Sequence, residues 1–379
     1  MQRILILLIT VFISLSCSSG KKSFEQGNYY EAVMKSINRL RSNPDHKKSK
    51  TTLKEAYPLA LDWLTEEANN AIATESPNKW KSALSAYTKI NNMYEEIRTA
   101  PGARRVISNP KNYYDKIADL KENAAKESYE QAITYLQKNN REDAKKAYFL
   151  FNETNKFVPD YKEVADMLVR SKYNATLKVV IEQIPVPTRY RLSADFFQDK
   201  VEGYLISGGI DNEFVRFYTP KEAESEKVEK VDQLLKIEFD DFVVGRESVR
   251  ANTETVSKDS VVIGEIKLQD GTKKSVYGTV TAKMTSYKKQ LKSDGRVSMR
   301  IFNGEGNGLL KHEKIDGSYV WTSEWGSFNG DSRALSDHQL KICESKEQIP
   351  PANQDMFIRF TEPIYRQLTS KLRSEYRQY

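Results

Sequence analysis

Apolar residues recur in three rhythms along this chain of 379 residues, and each rhythm predicts a different element. Residues 4–13 form an apolar run, interrupted only by Thr10, behind the single charge of Arg3. Ten residues are too few to cross a bilayer as a permanent helix, so the run reads as the core of a secretory signal. From Phe24 to about Lys172 the period is 3.6. Leu53, Ala56, Leu59, Ala60, Trp63 and Leu64 fall at three- and four-residue steps, as do Trp80, Ala83, Leu84, Tyr87, Ile90, Met93 and Tyr94. Two further stripes follow: Tyr129, Ala132, Ile133 and Leu136, then Ala144, Ala147, Tyr148 and Phe151. Residues 23–173 are therefore expected to be helical throughout, with Pro58 kinking one helix or moving its start.

Near residue 174 the period drops to two. Leu177, Val179 and Ile181 alternate with Lys178, Val180 and Glu182, which predicts a strand over 175–184 ended by Pro185 and Pro187. A helical pattern over 192–206 stops at Gly208-Gly209. Strands are expected at 213–218 and 234–244, with a polar helix over 220–231 between them. Asp270-Gly271 between alternating arms 254–268 and 274–289 predicts a hairpin. A second hairpin is expected from 296–302 with 309–313. Phe357, Phe360, Ile364, Leu368 and Leu372 place a helix over 353–376. The predicted fold class is a helical array followed by a mixed, mainly antiparallel α/β sheet domain over 174–379, with helices on one face of the sheet.

Composition bounds the chemistry. The net charge is +7 and the pI about 9.0, and removal of residues 1–16 leaves +6. That mild positive charge suits anionic surfaces such as lipid headgroups and gives no argument for nucleic acid, while the Lys and Arg, scattered without a block of five or more, read first as solvated faces of helices and strands. There are two cysteines, Cys17 and Cys343. His46, His312 and His338 stand far apart, without zinc-motif spacing, and no Gly-x-Ser-x-Gly elbow occurs. Gly304, Gly306 and Gly308 imitate a phosphate loop, but the chain beyond them reads as strand rather than helix, so they predict a hairpin tip. Asp240-Asp241 are adjacent and, on a strand, face opposite sides. No catalytic set, metal site or cofactor is expected. The richest stretch is 317–335, where Tyr319, Trp321, Trp325 and Phe328 neighbour Asp331 and Arg333. Aromatic rings beside polar groups suit glycans or peptides, or simply fill the space between sheet and helix. Asp331 and Arg333 are expected as an internal ion pair or a ligand clamp.

Ser14-Leu15-Ser16-Cys17 resembles the end of a bacterial lipoprotein signal, although Leu15 stands one place later than in that pattern. The resemblance implies cleavage before Cys17, lipid on its sulfur, and a tether over 17–22. Gly27, Tyr29, Ala32 and Pro44 keep the spacing of the second half of a tetratricopeptide repeat, with a looser copy near 126–161. Taken whole, the chain resembles repeat-containing outer-membrane lipoproteins of Bacteroidota-type bacteria. The element order of 174–379 is similar to the periplasmic domain of curli-secretion-type lipoproteins. Asp259-Ser260-Val261 also matches the acceptor pattern of Bacteroidota O-glycosylation.

These likenesses imply an envelope protein, lipid-anchored at Cys17 and most naturally in the outer membrane. The expected role is a non-enzymatic scaffold, or a homo- or hetero-oligomeric subunit of an envelope assembly or secretion complex, whose partners are other envelope proteins. Tyr29, Trp63, Trp80 and Tyr87 are the candidate anchors on the helical half, with Trp321, Trp325, Asp331 and Arg333 on the sheet half. An oligomeric export pore is the alternative, because Val276, Gly278, Val280, Ala282 and Met284 share one face of the second arm. Strict alternation in the first arm puts Glu265 and Lys267 beside Val261 and Ile263, which counts against lipid contact. A glycan-binding or glycan-cleaving protein stands last, for want of paired carboxylates.

Overall fold

Helix caps and alanine spacing account for the first part of the chain. The computed structural model describes residues 20–185 and 191–379; the signal segment 1–16 and Cys17 lie outside them. The chain divides into two compact units between Ala175 and Thr176. The first is helical: α1 (Lys21–Glu25), α2 (Tyr29–Ser42), α3 (Lys47–Ala73), α4 (Lys79–Thr99), α5 (Pro101–Val106), α6 (Tyr114–Leu136), α7 (Arg141–Phe157) and α8 (Val164–Ala175). Gly27 turns the chain at φ +77°, and Asn28 then caps α2 by accepting from the Glu31 amide. Asn140 caps α7 in the same way, and the His46 ring accepts from the Ser49 amide at the start of α3.

Sequence neighbours pack side by side: α2 on α3, α3 on α4, α4 on α6, α6 on α7 and α7 on α8. Ala32, Ala56, Ala60, Ala68, Ala83 and Ala86 are fully buried between them, and such small side chains let helix axes approach closely. Larger residues, among them Ile37, Leu53, Ile90, Met93 and Ile97, fill the remaining space. Two side chains pin the loop before α6: the Tyr57 hydroxyl accepts from the Lys111 amide and Asn91 Oδ1 from the Tyr113 amide, both at 2.7 Å. Pro58 lies inside α3 on its exposed side, so α3 runs through it rather than starting after it.

The second unit holds β1 (Leu177–Ile181), α9 (Arg191–Ile206), β2 (Val215–Tyr218), α10 (Pro220–Ser225), β3 (Gln233–Lys267), β4 (Lys273–Asn303), β5 (Leu309–Gly330), α11 (Asp337–Glu344) and α12 (Asn353–Tyr376). A 3-10 turn, Ser332–Ala334, precedes α11. The sheet order is β2-β1-β3-β4-β5, parallel across β1 and antiparallel from β3 onwards. α10 ends at Ser225, well short of the expected 231, and β1 is shorter than expected at both ends.

The hairpins differ most from expectation. Both expected hairpins form, but they share one strand: β3 of 35 residues and β4 of 31 run unbroken through what alternation splits into separate strands, and β4 then pairs with β5 from Phe302 and Leu309 outward. The aromatic stretch 317–330, for which no strand is expected, is the far part of β5. Bulges carry the strands through: Gly245 takes φ +69° where the β3 register shifts, and its amide donates to Ser293 Oγ. At the far end Gly271 takes φ +85°, and Asp270 accepts from the Thr272 amide to close the turn. Gly304–Gly308 makes the β4–β5 turn, with Asn303 Oδ1 accepting from the Asn307 and Gly308 amides.

The sheet buries different faces at its two ends. Near β1, the odd-numbered Val297, Met299 and Ile301 of β4 pack with Phe197 and Val201 of α9 and with Phe357, Phe360, Ile364 and Leu368 of α12. Further out, the even-numbered Val280, Ala282 and Met284 pack under Ala334, Leu335, Leu340, Ile342 and Cys343. Alternate residues of a strand face opposite sides, so segment 332–344 covers the face that α12 leaves open.

Candidate functional site

The anchors expected on the helical unit fall into three environments. Tyr87 is 1% exposed, rings 5.0 Å from Tyr113 and accepting from Lys116 Nζ at 3.2 Å, so it is core and not a surface anchor. Tyr29 and Trp80 are half-buried; Tyr29 packs on Phe24 at 5.7 Å, and Lys79 Nζ lies 5.2 Å from the Trp80 ring. Trp63 stands out of α3 at 51% exposure, with Leu59 one turn earlier at 41%. The same helix buries Leu53, Ala56, Ala60 and Leu64, so the apolar stripe is wider than the core beneath it.

In the sheet unit, Trp325 stacks on its cross-strand partner Tyr287, with centroids 5.5 Å apart and planes 14° from parallel. Trp321, half-buried, pairs across the strands with Leu291. Phe328 belongs to the opposite face, opposite Met284. Asp331 lies six residues beyond Trp325, about 20 Å along an extended chain, so the tryptophans and the Asp331–Arg333 pair do not form one site.

That pair is a fastening. Asp331 Oδ1 accepts from the Arg333 amide at 3.0 Å, and its carboxylate pairs with the guanidinium. Nη1 of Arg333 donates to the Val262 carbonyl at 2.5 Å. Hydrogen bonds from Arg333 hold the Asp331 carboxyl down at about 2. Gln339 Nε2 adds a bond to Glu254 Oε1, and the Asp331 amide donates to the Thr281 carbonyl. Segment 331–344 is thus tied to both β3 and β4 while its apolar residues cover Val280, Ala282 and Met284. Cys343 belongs to this cover, where burial pushes its thiol up.

A polar, open depression of about 710 Å³ is lined by Asp240, Asp241, Arg296, Arg300, Lys314 and Asp316, among others. Asp240 is the extra residue of a bulge, so strict alternation does not apply to Asp240 and Asp241. Ser298 Oγ donates to Asp240 at 2.7 Å and lies 3.2 Å from His312 Nε2. Ser298 therefore sits between acid and imidazole, and its proton points to the acid. A nucleophile needs its proton on the imidazole, and Ser298 is fully buried, so this trio is not an acyl-transfer site. Arg300 reaches Glu238 and Arg296 pairs with Asp316, which lowers the Asp316 carboxyl. No group of His, Cys, Asp or Glu suited to a metal ion occurs among the described residues, and none of the described helices is long and apolar enough to cross a membrane.

The outer ribbon of β3 and β4 overturns one expectation. Ile263 is an extra residue opposite the Val276–Tyr277 step. Beyond it, Glu265 and Lys267 pair with Ser275 and Lys273, on the face of Val262 and Tyr277. Val261 shares the other face with Gly278, Val276 and Ile266. Ile263 lies across Gly278, where an added Cβ would come within 2.6 Å of its Cδ1. The bulge thus separates the charges from the apolar side chains that strict alternation places together. Ser260 is exposed on this ribbon with φ +61°, beside a second bulge. No signal in the sequence marks these bulges apart from the Gly264 and Gly278 that flank them.

No protein-family model matches this sequence, and neither does any curated protein.

Proposed function

We propose that the chain is a non-enzymatic lipoprotein of the bacterial outer membrane, anchored by acyl chains on Cys17, that serves as a protein-binding subunit of an envelope assembly or secretion complex. The observation that carries this reading is Leu59 and Trp63, two large apolar side chains one turn apart and about half exposed on a helix that buries Leu53, Ala56, Ala60, Leu64 and Ala68 on its other side. Stacked antiparallel helices, read as tetratricopeptide-like repeats, hold such residues rigidly along one surface. Trp at a preorganised surface is the commonest source of binding energy at interfaces. The test is Leu59→Ala/Trp63→Ala in the full-length chain, followed by sizing of the detergent-solubilised complexes recovered with it. Loss of the partner by about thirtyfold or more, with unchanged helical signal, is the expected result. Unchanged complexes would remove the helical surface from the reading. Hydrolysis of envelope glycan by purified protein, abolished by Asp331→Asn without unfolding, would replace it with an enzyme.

A second reading, an oligomeric export pore, draws on the bulge at Ile263 and would need segment 332–344 to leave the ribbon before its arms are long enough to span. The bulge at Ile263 moves Glu265 and Lys267 off the face of Val261, although Val262 joins those charges and Lys274 stays with Ile266. Channel currents from a purified oligomer in planar bilayers would support it. A protein that stays monomeric and passes no current would retire it.

A further inference from the structure

The cover provided by segment 332–344 ends at Val256, Val261 and Val280, and the ribbon continues beyond it. From there to the turn its apolar side chains stand in solvent. Val262 is 41% exposed, Ile263 54%, Ile266 51%, Leu268 44% and Tyr277 63%. The carboxylates of this tip are satisfied within it: Glu265 pairs with Lys273 at 2.9 Å, and Asp270 accepts from the amide and hydroxyl of Thr272. Lys267 and Lys274 have no carboxylate partner among the described residues. Lys267, Lys273 and Lys274 against Glu265 and Asp270 leave a net +1, so the tip is an apolar end with a small positive excess.

We propose that this tip docks onto an anionic lipid surface, with Ile263, Ile266 and Leu268 entering the headgroup region and Lys267 and Lys274 meeting lipid phosphates. Arrangement argues for lipid over protein. The exposed apolar side chains are divided between the two faces of the hairpin, with Val262 and Tyr277 on one and Ile266 on the other, so neither face offers a partner protein one contiguous apolar patch. A lipid surface asks for no such patch, and a few apolar side chains dipping into the headgroup boundary beside basic residues suffice. Length argues against spanning. The uncovered arms run from Val262 to Lys267 and from Lys273 to Gly278, whereas a membrane strand needs about nine to eleven residues. The ladder stays paired out to Lys267 and Lys273, so the apolar residues are presented on a formed hairpin and little order has to be gained on docking. Tyr277, on the opposite face, suits the headgroup boundary, with an apolar ring and a polar tip.

The proposal rests on the envelope reading only for the presence of a lipid surface. Its test adds Ile266→Trp to the full-length chain and mixes the protein with vesicles of phosphatidylglycerol and phosphatidylcholine carrying brominated acyl chains. The added indole is expected to be quenched beyond the level of the wild-type chain, whose four Trp give the background. Vesicles of phosphatidylcholine alone, and the Lys267→Glu/Lys274→Glu variant on anionic vesicles, are each expected to need at least about tenfold more lipid for the same quenching. Absence of added quenching on anionic vesicles overturns the proposal, and so does equal quenching on both lipids. Protection of the tip by a co-purified protein, without quenching, assigns it to a protein partner instead. The N-terminus is the same in every variant, so its own attachment cancels. Failure here leaves the envelope reading standing, because that reading is judged separately from the mass of the mature N-terminus.

Discussion

At the residue scale, the Asp331–Arg333 fastening gives a prediction with a definite sign. The Asp331 carboxyl is held at about 2, below its unfolded value of roughly 3.9. Whatever it contributes is present above the unfolded value and is lost as the pH falls through the folded one. Amide exchange across 331–344 is therefore expected to accelerate between about pH 4 and pH 2, ahead of the strands near β1. Asp331→Asn should abolish that step and leave the segment loosened at neutral pH. Tyr87 and Trp63 supply a second test at this scale. Tyr87→Ala removes a fully buried ring and should cost about 3–5 kcal/mol, read as a lower melting temperature. Trp63→Ala, on an exposed face, should change stability by less than about 0.5 kcal/mol.

Among the elements, α12 depends on two glycines that face each other in neighbouring strands, Gly295 and Gly317. A Cβ at Gly317 would stand 2.5 Å from the Phe360 carbonyl oxygen, and one at Gly295 would stand 2.9 Å from the Phe360 ring. The helix can sit down on the sheet only because both side chains are missing. Gly317→Ala should therefore lower the urea midpoint by an amount equivalent to about 1–3 kcal/mol. Gly264, with open space around its missing Cβ, is the control, and Gly264→Ala should be close to neutral. An unchanged midpoint for Gly317→Ala would mean that α12 packs less closely than described. The bulges act at the same scale. One added residue at Ile263 decides whether Glu265 and Lys267 share a face with Val261, and alternation counted along the sequence gives the opposite answer.

For the whole molecule, the two units are each large enough to hold a core. Fragments 18–175 and 176–379 are expected to fold separately, the first with an almost purely helical circular dichroism spectrum. A substantial strand signal from the first would contradict its architecture. Lipid attachment is a prediction about the full chain as well. Cys17→Ser should give an unprocessed or soluble form, since each buried CH₂ contributes ~0.8 kcal/mol and stable attachment takes more than one acyl chain. Fractionation with mass spectrometry of the mature N-terminus reads it directly, and stable attachment without acyl chains would refute it.

The sequence by itself determined the local periods. The switch from 3.6 to 2 near residue 174, the caps at Asn28 and Asn140, the Asp270-Gly271 turn and the C-terminal helix Asn353–Tyr376 are all set by neighbours within one or two turns of chain. Tertiary structure decided what those elements face. Leu59 and Leu53 look alike in the pattern of α3, and only the packing of α2 and α4 against that helix leaves one in solvent and buries the other. Even-numbered residues of β4 become core at Val280, Ala282 and Met284 because a segment more than fifty residues later folds over them. Alternation states that two faces exist, but which face is covered, and where a bulge exchanges them, depends on partners that the local pattern does not contain.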